Sequence, residues 1–385
     1  MAKVFLGDVV DHIKDKVNKD ETDLEFYVGG EHIEGREIVV RQKGLIQGST
    51  IGPAFHMRFQ KGDVLLMSRN PHLCKASMVD FDGICSDVSY VCRTKDNNIL
   101  LQSLLPFIMQ TDEFWQFAEE NKKGGLPFFL NWKDFARFEF ELIPIDQQRK
   151  ISDLLWAVER AKNAYKDLIK KTDDLVKSQF IEMFGDPVEN PMNWETQSLL
   201  SLGVCKNGMN FHSSDSGVEV NCLGVGDFKD YDVISATEDL PTVSLNEIPS
   251  ADYLLKDEDI VFVRSNGNKA MVGRSVMVYP RKNPTTFSGF CIRFRNTTSQ
   301  VIAPFLLRVL KTDSMRKMMY GRGANIQNLN QQTLASLNIP IPPIGMQKHF
   351  VSFVEQSDKS KFAAKQALDN LNASQKALMN QIFGE

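Results

Sequence analysis

The sequence predicts an α+β fold: two mixed α/β globules, each followed by a long helix, with the two helices packed together in a pseudo-twofold internal repeat. Three observations predict it. Residues 143–186 and 341–385 both have the composition and spacing of long helices. The two stretches match one another at a constant offset without a gap. The segments preceding them match in short blocks that keep their order, which marks an internal duplication.

Between Pro144 and Gly185 neither proline nor glycine occurs, and Ala, Leu, Lys and Glu dominate. Apolar residues recur at three- and four-residue steps (Ile151, Leu154, Leu155, Val158, Ala161, Tyr165, Leu168, Ile169, Leu175, Val176, Phe180, Met183), the pattern of one helical stripe. At ~1.5 Å per residue this helix extends roughly 55 Å. A single apolar face of that length needs a partner, and 341–385 supplies one. Pro144 matches Pro343, Gln148 matches Gln347, Phe184 matches Phe383 and Gly185 matches Gly384. Bulk is traded between the copies, with Val158, Ala161, Tyr165 and Leu168 becoming Ser357, Ser360, Ala364 and Ala367. The seam is expected to use Ile151, Leu154, Leu168 and Leu175 against Leu368, Leu371, Leu378 and Ile382, with the Ile151 end near Ile382. A charge at Leu168 is then expected to cost several kcal/mol.

The expected boundaries are 1–142 for the first globule, 143–189 for the central helix, 190–340 for the second globule and 341–385 for the C-terminal helix. In the first globule, 62–68 and 84–93 read as strands and 104–121 as a helix with Pro106 in its first turn. The second globule repeats this order. The block beginning at Asp63 matches the one at Asp259, Asn70 falls on Asn266, and 86–93 lines up with 288–295. Asn131 falls on Asn330, Phe135 on Leu334 and Phe138 on Leu337.

Composition and motifs exclude more than they assign. A chain of 385 residues, 42% of them hydrophobic, builds two or three globular cores. The N-terminus lacks a signal-peptide core and no apolar run is long enough to cross a bilayer. Six cysteines without a CxxC pair read as reduced thiols of a cytoplasmic protein. The glycine-rich run 44–50 lacks a phosphate-gripping lysine, and neither a dinucleotide fingerprint nor a base-flipping tetrad occurs. Glu120 and Lys122 end a predicted helix away from a second carboxylate, and His72, Cys74, Cys85 and Cys92 have no zinc-module spacing. No catalytic or metal site is expected.

The net charge of −4 hides a segregation. From Ile260 to Arg322 twelve basic residues stand against one acid, Asp313, whereas 206–259 carries twelve acids against three lysines. A milder basic stretch runs from Arg36 to Lys75. Segregated basic surface is the footprint of phosphate binding even on an acidic chain.

Two globules, each followed by a proline-bearing turn, a glutamine and a long helix ending in Phe-Gly, resemble the specificity subunit of type I restriction–modification enzymes. The resemblance rests on 143–151 and 341–350 before the helices, 179–186 and 380–385 after them, and the lead-in 321–343. It covers the whole chain. The chain departs from the family pattern where Ile143 and Ile145 flank a single proline, and where Gln147 and Met346 replace an acidic residue. The resemblance implies two target-recognition domains, each reading half of a bipartite site in double-stranded DNA, and two long helices packed as an antiparallel coiled coil that acts as a ruler. It also implies docking of two methyltransferase subunits and of restriction subunits that form the endonuclease and translocase. No cofactor is expected on this chain; S-adenosylmethionine, ATP and magnesium would belong to the partners.

Bidentate Arg to guanine and Asn to adenine carry sequence information, while Lys mostly holds phosphates. The candidate DNA contacts are therefore Arg264, Asn266, Asn268, Lys269 and Arg274 after one predicted strand, and Arg69, Asn70 and Lys75 after its counterpart. The loops bearing Arg41 and Lys43, and Arg281 and Lys282, complete the set. Two other classes remain open: a scaffold that binds only protein, and a divergent stand-alone nuclease or modification enzyme.

Overall fold

The structure is a computed structural model that describes residues 2–211, 216–228, 232–320 and 328–383. The first part of the family-like lead-in (321–327, with Arg322) and the terminal Gly384 lie outside them. The chain forms two compact units: residues to Ile169 together with those from Ala363, and Lys170–Phe362. The predicted long helices run from Ile145 to Phe184 and from Ile344 to Phe383. Each therefore contributes one part to each unit. Gly185 ends the first of them in a left-handed conformation (φ 75°), where a Cβ would meet Pro191.

In the first unit, an antiparallel sheet has the order Val10–Ile13, Ser89–Thr94, Val64–Met67, Ala76–Met78. A mixed four-stranded sheet has the order Gly44–Leu45, Phe26–Val28, Gly83–Ser86, Phe55–Phe59. Ala2–Phe5 pairs with Glu139–Leu142 where the chain leaves the globule for the helix. The second unit repeats this plan. Its five-stranded sheet runs Gly203–Asn207, Cys291–Asn296, Asp259–Val263, Ser275–Val278, Val233–Ile234. A three-stranded sheet and a Thr196–Ser198 pairing with Asn338–Pro340 complete it. Two expectations need correction. The single strand expected over 84–93 is two strands in different sheets, broken at Asp87 and Val88. The helix expected over 104–121 breaks into Leu105–Ile108 and Asp112–Glu120, because Thr111 caps the second piece by accepting from the Phe114 amide at 3.2 Å.

The duplication extends to the buried polar groups. Asp63 accepts from Arg93 Nε and Nη2 at 2.7 and 2.9 Å, and Asp259 accepts from the same atoms of Arg295 at 2.7 Å each. Both carboxylates are buried, and each also accepts a backbone amide (Gln60, Lys256). Gln148 and Gln347, both wholly buried, make a second matched pair. Gln148 Oε1 accepts from Leu101 N at 2.9 Å, and its Nε2 donates to Ile99 O and Ile143 O. Gln347 Oε1 accepts from Ile302 N at 3.1 Å, and its Nε2 donates to Gln300 O and Pro342 O. Each glutamine thus saturates three backbone groups and fastens the first turn of its helix to the adjoining globule. Gln347→Ala should destabilise the second unit by about 2–4 kcal/mol, since it leaves buried backbone groups unpaired. Amide exchange at Ile302 checks this.

Within each unit the helix segments pack antiparallel. In the first, Ile151, Leu155, Leu378, Met379 and Ile382 join one core, and Lys162 Nζ donates to Gln375 Oε1 at 2.6 Å. In the second, Phe180, Phe184, Phe350 and Val354 share a core, and Lys361 pairs with Asp173 at 2.6 Å. Residue numbers rise on one helix as they fall on the other. Leu368 and Leu371 are half-buried, as are Leu378, Ile382 and Ile151. Leu154, Leu168 and Leu175, however, are 50%, 48% and 52% exposed and are not seam residues. Twelve apolar positions are more than one helix face holds, and the contact face lies beside those three leucines. That face contains Ser152, Leu155, Glu159 and Lys162, all buried. The expected large cost of a charge at Leu168 therefore falls away.

Candidate nucleic-acid interface

The loop after Asp259–Val263 is fixed by backbone bonds from two sides. Arg264 N donates to Phe290 O and Arg264 O accepts from Leu329 N, both at 2.7 Å, while Gly273 N returns to Val263 O at 2.8 Å. Arg264 Nη1 donates to Gly289 O at 3.3 Å, which turns the guanidinium along the rim of the sheet. Asn266 Oδ1 accepts from Asn268 N at 2.8 Å and Asn268 Oδ1 from Ala270 N at 3.0 Å, two successive Asx turns. Both side-chain oxygens are thus engaged in shaping the loop. A bidentate Asn–adenine contact uses that oxygen as well, so either asparagine reads adenine with both groups through its second lone pair or by opening its turn. Lys269 is exposed at the tip and Arg274 is half-buried at the return.

The first unit builds the equivalent rim with different side chains. Ser68 stands where Arg264 stands, its amide donating to Val88 O and its carbonyl accepting from Leu130 N, both at 2.9 Å. Arg69 bridges to Phe129 as Ser265 bridges to Asn328. Arg69 is exposed. Asn70 holds a left-handed turn (φ 53°) and its amide donates to Phe128 O at 2.8 Å. Lys75 Nζ donates to Gly30 O at 2.5 Å.

The remaining candidates are not brought to these rims. Arg41 is bonded to Asn163 and lies 3.7 Å from Asp167, both on the central helix within the same unit. Lys43 sits over the Phe26 ring at 3.4 Å and near Phe81 at 4.4 Å, a cation–π contact. Arg281 and Lys282 follow the strand Ser275–Val278, whose end pairs with Asp259 at the start of its neighbour. They therefore lie at the opposite end of the sheet from Arg264. The Arg281 amide is held by Asp257 Oδ1 at 2.8 Å.

The basic tract of the second globule is likewise not one surface. Arg295 is paired with Asp259; Arg308 with Asp232 at 2.6 Å and Asp358 at 3.4 Å; Lys311 with Asp232. These cations neutralise acids from the preceding acidic stretch and from the C-terminal helix. Arg293 is 3% exposed, with Nε and Nη1 lacking a hydrogen-bond partner, and burial together with the Arg295 charge lowers its pKa. Sequence reasoning missed the buried set Glu159, Lys162 and Gln375 on the helices. Its only signal was polar side chains interrupting the stripe.

Residues 226–372 match the family model described as the type I restriction modification DNA specificity domain. Over 203 residues the chain is 25% identical to the type I restriction enzyme StySPI specificity subunit of Salmonella potsdam, a match spanning 50% of this chain and 43% of that one. Over 216 residues it is 26% identical to the putative type I restriction enzyme MjaX specificity subunit of Methanocaldococcus jannaschii, spanning 51% and 46%. The matches thus span less than half the length of either curated relative. Among solved structures, the type I restriction-modification S subunit from M. genitalium superposes with a TM-score of 0.59 at 14% identity, over 100% of this chain and 96% of that one. A chain from a structure of type I R-M system assembly gives 0.57 at 18% identity, over 99% and 96%. The fold is that of a type I restriction–modification specificity subunit. Over residues 226–372 the chain is similar to that family's DNA specificity domain.

Proposed function

We infer that the chain is the non-catalytic DNA specificity subunit of a type I restriction–modification complex. Each unit reads one half of an asymmetric bipartite duplex site through the loop after its central strand, and the helix pair sets the spacing between the halves. One observation carries the reading: two units of one plan present the same pinned rim with unlike side chains, Arg264 and Ser265 in one and Ser68 and Arg69 in the other. One architecture with two loop chemistries suits two different half-sites. The near-repeat of the helices and their glutamine anchors suits two methyltransferase subunits bound in a pseudo-twofold arrangement, with restriction subunits joining them in the cytoplasm. S-adenosylmethionine, ATP and magnesium then act on those partners. Among the described residues no helix is long and apolar enough to cross a membrane.

Methylome sequencing of cells expressing the chain with its methyltransferase tests this. The expected result is an interrupted asymmetric motif with half-site centres about one helical turn, roughly 10 bp, apart. Arg264→Ala should relax only the half read by the second unit, by about 1–3 kcal/mol if its contact is bidentate. A continuous palindrome, or turnover by the purified chain alone, defeats the reading. A chain that recruits protein but leaves DNA binding insensitive to sequence and salt is the protein-only scaffold.

A further inference from the structure

Each rim also carries an exposed apolar side chain that no packing explains. In the second unit Phe290 is 61% exposed. It is no loose residue, since its turn is held on three sides. Phe290 O accepts from Arg264 N at 2.7 Å and Ser265 N at 3.3 Å, Gly289 N donates to Met209 O at 2.6 Å, and Phe290 N donates to Ser288 Oγ at 3.3 Å. The backbone that carries the exposed phenyl side chain is thus fixed beside that of Arg264. The equivalent backbone position in the first unit is Val88, whose carbonyl accepts from Ser68 N. Val88 is half-buried, and the exposed apolar groups there, Phe129 and Leu126, come from another segment. Leu126, at 85%, is the most exposed large hydrophobic side chain among the described residues. It tops a hairpin closed by paired Lys123–Phe129 bonds of 2.9 and 3.1 Å. That hairpin is tied to the rim by the Arg69–Phe129 bridge and by Asn70 N to Phe128 O.

We propose that Leu126 and Phe290 are specificity residues, each making the apolar contact of its unit with the 5-methyl group of a thymine in the major groove. The proposal rests on the DNA-reading function above. A single exposed apolar side chain is ordinary on a protein surface; these two are set apart by standing on backbone that is bonded to the rim. Here the flanking groups are an exposed Arg69 and a half-buried Asn70 on one rim and half-buried Arg264 and Asn266 on the other. That mixture suits base edges: cationic and amide groups for purines, an apolar group for the thymine methyl. A protein surface rich in apolar area matches it less well. The two units reach the same chemistry from different segments, as two independently specified half-sites require.

The test uses the chain assembled with its methyltransferase and a duplex carrying the methylated motif, with each thymine replaced in turn by uracil, which removes only the methyl group. Wild-type affinity should fall about fourfold for one position in each half, the value of one buried methyl-sized group. Leu126→Ala should abolish that sensitivity in one half alone and Phe290→Ala in the other alone, each binding uracil and thymine duplexes equally. Phe290→Leu should restore part of the discrimination. Four outcomes overturn the proposal: no uracil effect anywhere, a half-site without thymine on either strand, both variants acting on the same half, or variants that weaken methyltransferase capture and leave DNA discrimination intact. The last outcome reassigns the two side chains to a protein contact. If the wild-type complex binds the motif no better than a scrambled duplex, the DNA-reading function itself falls and takes the proposal with it.

Discussion

Asp259→Ala is expected to destabilise the second unit by about 2–4 kcal/mol, the cost of removing a buried, charge-paired carboxylate whose arginine keeps some contact with solvent. Asp259 is 1% exposed and accepts three hydrogen bonds, two from Arg295 and one from the Lys256 amide. Removing the carboxylate leaves the partly exposed Arg295 guanidinium, beside Asp259–Val263 and Cys291–Asn296, with Leu254 O as its remaining acceptor among the described residues, at 3.0 Å. The double variant Asp259→Leu with Arg295→Leu should recover much of the loss, because an apolar pair of similar volume strands no charge. Two units make global unfolding unlike a single transition, so amide exchange along Asp259–Val263 is the cleaner readout. Equal protection in Asp259→Ala and the parent rules the prediction out. Asp63→Ala should behave alike in the first unit through Arg93.

Much of the architecture was legible because the duplicated residues hold backbone in place. Pro144 and Pro343 open the helices, and Gln148 and Gln347 each occupy three backbone groups that no other side chain of that shape reaches. Such positions keep their identity between the copies, so they align without gaps. Asp63 with Asp259 and Arg93 with Arg295 were visible as matches, but their pairing was not, since partners 30 and 36 residues apart meet only through strand register. The candidate interface was less legible. A run of basic residues says nothing about which sheet end each one occupies. Arg264 and Arg281 are separated by a hairpin that puts them at opposite ends of adjacent strands. Arg308 and Lys311 point to acids that the sequence placed in a separate block. Phe290 and Leu126 carried no sequence signal, because an exposed and a buried apolar residue read alike.

The helix seam shows the same limit. Lys162 is 3.1 Å from Glu159 and 2.6 Å from Gln375, while Gln375 reaches Glu159 at 3.4 Å. All three are buried, and Glu159 Oε1 has no hydrogen-bond partner. In a coiled coil, polar groups at core positions fix register at a cost in stability. The second unit repeats the lysine–carboxylate pair, looser, as Lys361 with Asp358 at 3.8 Å, but there Lys361 also bonds Asp173 and Val176 stands in the place of Gln375. A helix repeated in sequence is thus repeated only in part in its seam.

Phe350→Ala is the second large effect expected, a loss of about 3–5 kcal/mol from the second unit by emptying a filled aromatic site. Phe350 is wholly buried, with its ring centroid 5.5 Å from those of both Phe180 and Phe184, and Phe184 lies 4.9 Å from Phe305. Four rings from two long helices and one globule helix therefore close one core, and deleting one leaves edge-to-face partners without contact. The surrounding Val176, Val354 and Leu306 belong to close-packed elements, which limits collapse into the gap. Leu175→Ala makes the contrast. It removes a large apolar side chain from the same helix, one residue from Val176, but at 52% exposure it should cost about 1 kcal/mol or less. Thermal unfolding followed by tryptophan emission, with Trp194 Nε1 bonded to Phe184 O at 3.1 Å as the local reporter, reads both variants. Equal shifts for the two would mean that the helix face turns its leucines, not its phenylalanines, toward the core.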